Sequence, residues 1–150
     1  MRLVIQRVKR ASVSVAGEEI AAIGRGYLAL VGVEVSDGPQ DAKLCAAKIA
    51  GLRVFRDDAD KMNLALADVA GEALVVSQFT LLGDISGGRR PSFIRAARPE
   101  QAQPLFGTLI EELSRLGVQA KTGVFGADMD IALINEGPVT ILFDSQRPTL

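Results

Sequence analysis

Apolar and polar positions alternate at the start of the chain and then change period several times, and those changes divide it into elements. Arg2 to Lys9 is a β-rich run, and Ser12-Val13-Ser14-Val15 alternates with period two, as a half-buried strand does. Gly17-Glu18 offers a turn, Glu19 to Ile23 a short return strand, and Gly24-Arg25-Gly26 a second turn. Tyr27 to Val33 (YLALVGV) is continuously apolar, the pattern of a strand covered on both faces. Pro39 then suits a first helical turn with Asp37 as its cap. Ala42, Cys45, Ala46 and Ile49 follow at helical spacing, and the helix is predicted to end near Gly51.

Leu52 to Phe55 and Ala73 to Phe79 read as further strands, separated by a polar stretch with one helical turn around Leu64 to Val69. Leu82 to Pro99 carries Gly83, Gly87, Gly88, Pro91 and Pro99 and is predicted to be a long loop, a length class that is often functional. A second helix places Phe106, Leu109, Ile110 and Leu113 on one face, with Pro104 in its first turn and Gly117 as its stop. Strands resume at Val118 to Val124, Met129 to Asn135 and Val139 to Asp144, the last two joined by a tight turn at Asn135-Glu136-Gly137-Pro138. The order β-β-β-α-β-β-α-β-β-β predicts a single α/β domain over residues 1–150, with a mixed, curved sheet and two covering helices.

Composition narrows the chemistry. A chain of 150 residues with 48% hydrophobic content can bury a sizeable core without staples. One cysteine excludes an intrachain disulfide and fits a reducing, cytoplasmic setting, and no apolar run is long enough for a membrane helix. The net charge of −1 argues against a generally basic nucleic-acid coat. There is no histidine, which removes Ser-His-Asp and Cys-His machinery and the commonest zinc ligand. Neither a metal nor a cofactor is therefore expected. Asp57, Asp58 and Asp60 lack the spacing of a helix–loop–helix calcium site and read as a solvated turn. Cys45, on an apolar helix face, reads as a small core residue.

Three segments carry a resemblance: Ser77-Gln78-Phe79-Thr80-Leu81, Arg90-Pro91-Ser92-Phe93 and Asn135-Glu136-Gly137-Pro138-Val139-Thr140. With the opening RVKRASV, Lys61-Met62-Asn63 and Thr122 to Met129 in support, the whole chain resembles the bacterial D-aminoacyl-tRNA deacylases. That resemblance implies the deacylase fold and a homodimer with its sites at the subunit interface. It also implies a pocket for the 3′-terminal adenosine of tRNA charged with a D-amino acid or glycine. Ser77, Gln78, Phe79 and Thr80 would form the catalytic wall, and Gly137 and Pro138, joined by a cis bond and inserted from the other subunit, would reject L substrates. Glu136, where aspartate or serine is more usual, and Leu82-Gly83 depart from the family pattern.

Ester hydrolysis passes through a tetrahedral oxyanion, so donors must face the developing charge. The backbone N–H groups of Phe79 and Thr80, at a strand end, suit that role, and the family picture lets the neighbouring ribose 2′-hydroxyl assist. Thr80 and Thr140 have hydroxyls but no identifiable base, so wall roles are favoured over nucleophilic ones. Phe79, Phe125 and Met129 read either as stacking groups for a base or as core. Arg89, Arg90, Arg95 and Arg98 face a single acid, Asp84, in the long loop, and suit phosphate contacts or simply a solvated face. Arg7 either braces the Gly-Pro segment or is a strand-surface charge. Two other readings stay open: a non-catalytic module that holds tRNA ends, and a structural or regulatory dimer.

Overall fold

The computed structural model describes residues 1–147; Pro148 to Leu150 lie outside the described residues. The strands are β1 (Arg2–Val15), β2 (Glu18–Ile23), β3 (Gly26–Gly32), β4 (Phe55–Arg56), β5 (Met62–Leu64), β6 (Glu72–Ser77), β7 (Gln119–Thr122) and β8 (Asp130–Asp144). The helices are α1 (Pro39–Gly51) and α2 (Pro99–Arg115), with short 3₁₀ turns at Ala67–Val69 and Phe79–Leu82.

β1 is the spine. It pairs antiparallel with β8 along nearly its whole length, with β3 through its first half and with β2 through its second. β3, β6 and β7 then run parallel, with α1 and α2 as the crossovers. This is the mixed sheet the element order predicts. It curls far enough that Lys121 on β7 reaches the carbonyl of Ala22 on β2 at 2.7 Å. Two apolar layers result. Leu3, Ile5, Tyr27, Ala29, Val31, Ala73 and Val75 pack against Cys45 and Ile49 of α1 and Leu109 and Leu113 of α2. Val8, Ala11, Val13, Leu28, Leu74 and Val76 fill the inside of the curl. β3 and β6 contribute to both layers, which is why they read as unbroken apolar runs.

Several boundaries differ from the sequence reading. Residues 2–15 form one strand: a register shift between Val8 and Arg10 moves its buried face from one core layer to the other and hides its continuity. Asn135 to Pro138 is no hairpin turn. Both halves of β8 run antiparallel to β1, with Leu133 opposite Ala11 and Ile141 opposite Ile5, so the segment bulges out of a continuous strand. Leu52 to Phe55 does not join the main sheet; only Phe55–Arg56 is extended, pairing with β5 in a separate ribbon. β6 ends at Ser77, and Phe79 opens the 3₁₀ turn. α2 begins at Pro99, which places Pro104 inside the helix, beyond its first turn.

Asp37 does not cap α1, because Gly38 holds that position. Its carboxylate is buried and receives the Met1 ammonium at 2.5 Å and the Glu34 amide at 2.6 Å. A side chain paired to a buried ammonium is no longer free to turn toward the helix.

Candidate active site

A cavity of about 640 Å³ opens at the carboxyl ends of β3 and β6, where adjacent parallel strands leave a crevice. Val31, Val76 and Ser77 line it from the sheet, Phe93 and Ala96 to Pro99 from the long loop, and Phe125 to Met129 from the approach to β8. The loop is anchored: Val35 donates its amide to Arg95 O at 3.0 Å, and Ala97 to Val33 O at 2.9 Å.

Of the residues singled out in the sequence, Ser77, Gln78, Phe79, Phe125 and Met129 line this cavity. Phe79 is 56% exposed and meets Phe93 edge-on, with centroids 5.1 Å apart, so an apolar face stands open at the mouth. Thr80 stands just outside. Its hydroxyl accepts a hydrogen bond from the Gln78 side-chain amide at 2.5 Å, a donor and not a base. The backbone matters more. Gln78 N–H goes to Val31 O at 2.7 Å, and Leu81 N–H to Gln78 O at 3.2 Å. Between them, the amides of Phe79 and Thr80 have no acceptor among the described residues, as expected for the first residues of a short helical turn. Two adjacent free N–H groups, one on the cavity-lining Phe79 and the next just outside, can receive a developing negative charge.

The second predicted group assembles elsewhere. Arg7, Gly137, Pro138 and Thr140 sit around the β8 bulge, and none lines the cavity of its own chain. Gly137 and Pro138 are exposed, and the peptide between them is cis. Gly137 has φ +118°, and a side chain there would come within 2.8 Å of Arg7 Nη2. Arg7 is 4% exposed, donates to the carbonyl of Val54, and lies 3.3 Å from Glu136 Oε2. That last contact has ion-pair distance without hydrogen-bond alignment, since neither Arg7 Nε nor Glu136 Oε2 has a hydrogen-bond partner among the described residues. We read it as Coulombic support for the bulge. Asn135, significant in the sequence only as part of a motif, closes the bulge by donating to Arg7 O at 2.9 Å and Val139 O at 3.0 Å.

The loop arginines divide. Arg89 and Arg90 are exposed, and Arg98 lines the cavity. Arg95 is committed to Glu34, with Nε donating to Oε1 at 2.7 Å and Nη2 2.6 Å from the same oxygen, and this hydrogen bond raises its pKa further. Sequence reasoning missed Phe93, Ala96, Ala97 and Pro99 as cavity walls. The loop's glycines and prolines signalled irregular backbone, but not which side of it would face the strand ends. The acidic turn is used internally: Asp57 accepts the amides of Ala59 and Lys61, and Asp60 pairs with Arg56.

Comparison with known proteins agrees with this geometry. A family model described as D-Tyr-tRNA(Tyr) deacylase matches residues 4–144. A D-aminoacyl-tRNA deacylase of Thermomicrobium roseum is 57% identical over 97% of this chain and 94% of its own length. One from Thermoanaerobacter pseudethanolicus is 50% identical over 98% of this chain and 99% of its own. Among solved structures, a chain titled c-Myc DNA Unwinding Element Binding Protein superposes with TM-score 0.89 at 40% identity, covering 96% of this chain and 98% of that one. A probable eukaryotic D-amino acid tRNA deacylase shares the fold, with TM-score 0.80 at 15% identity over 95% of this chain and 97% of that one. With a family model matched over residues 4–144 and relatives at half identity or better across almost the full length, the chain belongs to the D-aminoacyl-tRNA deacylases, the D-Tyr-tRNA(Tyr) deacylase family.

Proposed function

We propose that this chain hydrolyses the ester of D-aminoacyl-tRNA, and of glycyl-tRNA, and spares L-aminoacyl-tRNA. The observation that carries the reading is the pair of free amides at Phe79 and Thr80 beside a cavity large enough for an aminoacylated adenosine. Water attacks the ester carbonyl, and the oxygen takes on negative charge that the two N–H groups receive. The bond to the ribose oxygen then breaks, one of the water's protons ends on that oxygen and the other passes to solvent, and the amino acid leaves as its carboxylate. No side-chain base is required of a chain without histidine. The terminal base stacks on Phe125 beside Met129, and Arg89, Arg90 and Arg98 meet phosphates near the acceptor end.

The working unit is a homodimer in which Gly137 and Pro138 of one protomer enter the cavity of its partner, where their backbone leaves room for hydrogen or a D side chain but not an L one. Three features support this: both residues are exposed, they lie apart from their own cavity, and β8 pairs only with β1 among the described residues. Leu142 (60% exposed) and Ile134 (41%) stand open on that strand, an apolar surface available for burial between subunits.

The test is release of each ester from D-tyrosyl-, L-tyrosyl- and glycyl-tRNA. Fast loss from the first and third with the second spared supports the reading. No release above the spontaneous rate overturns it and leaves a tRNA-end-binding module. Thr80→Ala should retain measurable release, whereas complete loss would restore a nucleophilic threonine. Specific activity should fall on dilution below the dimer's dissociation range; constant activity in a monomer excludes the shared site.

A further inference from the structure

The turn that presents the two free amides is fastened from outside by a residue that neither the sequence motifs nor the cavity include. Arg2, at the start of β1, donates from Nη1 to the carbonyl of Leu81 at 2.6 Å. The other edge of the same guanidinium faces Asp144, with Nε and Nη2 3.3 and 3.2 Å from Oδ2. Asp144 is 2% exposed and is itself fixed, since its other oxygen accepts the Gln146 amide at 3.0 Å. Arg2 and Asp144 are also paired across the β1–β8 ladder, so both partners stand on the rigid part of the sheet.

A planar guanidinium presents its donors at fixed angles, so holding Asp144 on one edge aims the other edge at Leu81. The turn has few other ties. Gln78 N–H to Val31 O secures its beginning, and Gly83 N–H to Thr80 O is a bond within the turn itself. Arg2 therefore supplies the side-chain tie at its far end, one residue past Thr80. Without that tie the far end of the turn would rest on the buried Leu82 side chain and the Asp84–Ser92 backbone pair beyond it, and the direction of the Phe79 and Thr80 amides would be freer to vary.

We propose that Arg2, backed by Asp144, is a positioning residue that keeps the Phe79 and Thr80 amides aimed at the oxyanion. The proposal rests on the deacylase reading for its chemical consequence, but its structural half can be read without substrate. Preorganised donors stabilise charge only while they stay aligned, and a displacement near 1 Å costs about 100-fold.

The experiment compares wild type with Arg2→Met, Arg2→Lys and Asp144→Asn in two assays. In amide hydrogen exchange, Arg2→Met should quicken exchange at the hydrogen-bonded amides of the turn, Leu81 and Gly83, about 10-fold or more while β3 and β6 keep their protection. In D-tyrosyl-tRNA hydrolysis it should lower kcat about 10- to 100-fold with KM within about 3-fold, the mark of an interaction expressed in the transition state. Arg2→Lys, whose single ammonium cannot serve both partners, should recover part of kcat, and Asp144→Asn should lose less than Arg2→Met. Lys and Asn variants keep the comparison open if the methionine variant does not fold. Unchanged exchange in the turn overturns the proposal, and so does faster exchange with unchanged kcat. A loss confined to KM also overturns it, because it marks Arg2 as a binding contact. A wild type without activity overturns the deacylase reading, while the exchange assay still decides whether Arg2 holds the turn.

Discussion

Gly32 ends β3 directly against the turn that carries the free amides, and its missing side chain is what lets the two approach. A Cβ built there meets Leu82 Cδ2 at 2.5 Å, Gln78 O at 3.1 Å and Leu81 Cβ at 3.1 Å. The first clash involves the end of a side chain that can rotate, but Leu82 is 2% exposed and has little space to enter. The other two involve backbone or atoms fixed to it, so Gly32→Ala must push residues 78–82 away by a few tenths of an ångström. Overpacking of this kind costs about 1–3 kcal/mol. In a chain of this size each kcal/mol lowers Tm by about 2–4 °C. The same push misdirects the amides, and scaling from about 100-fold per 1 Å gives about a 10-fold loss of kcat. Thermal melts and D-tyrosyl-tRNA hydrolysis would be measured for Gly32→Ala and for Gly24→Ala, where nothing lies within 4 Å of the added carbon. The Gly24 variant should match wild type in activity. A Gly32 variant with wild-type Tm and wild-type kcat would refute the close approach and, with it, the dependence of the reaction on that turn.

Three further outcomes follow from groups away from the cavity. Asp37→Ala leaves the Met1 ammonium buried without its partner, so it should cost about 3–5 kcal/mol in urea unfolding, and a loss under about 1 kcal/mol would contradict the buried pair. Burial pushes the Cys45 thiol up to about 12, so roughly 1 in 10,000 molecules carries the thiolate near pH 8. Native protein should resist iodoacetamide that labels the urea-unfolded chain, and Cys45→Ala should still release ester; rapid native labelling would contradict the assignment to core. Glu72 is held below its ordinary value of 4.5 by its hydrogen bonds from Lys121 and the Gly24 amide. A depressed carboxyl contributes stability above its unfolded value and loses it as pH falls through the folded one, so Glu72→Gln should shrink the stability lost as pH falls below 4.5. An unchanged acid limb would show the pair at the sheet seam to be idle.

Much of the fold was legible because periodicity and burial share a cause. The helical spacing of Ala42, Cys45, Ala46 and Ile49 became the buried face of α1, and the apolar run from Tyr27 became a strand between two core layers. What failed was long-range. A polar Asn-Glu-Gly-Pro segment reads as a reversal from its own residues, and only the partner strand decides otherwise: β1 pairs with residues on both sides of it in one direction. Asp37 reads as a helix cap until an ammonium 36 residues away in sequence claims its carboxylate. Local signals rank local options, and they carry no record of which distant group arrives.

The candidate site follows the same division with one added turn. Its side chains were found through motifs, but the groups on which the proposed mechanism relies are peptide N–H donors, which every residue except proline possesses. No residue type marks a free amide. What frees the pair at Phe79 and Thr80 is conformation: β6 stops at Ser77 and a 3₁₀ turn begins before the next ladder partner can arrive. What keeps them aimed is equally unmarked, since Arg2 and Gly32 are ordinary at their positions until the fold brings Leu81 and Gln78 against them. In such a site the residues that tolerate least change are those that shape the backbone. Substituting the hydroxyl of Thr80 removes an atom that accepts from Gln78, whereas adding one carbon at Gly32 moves both donors at once.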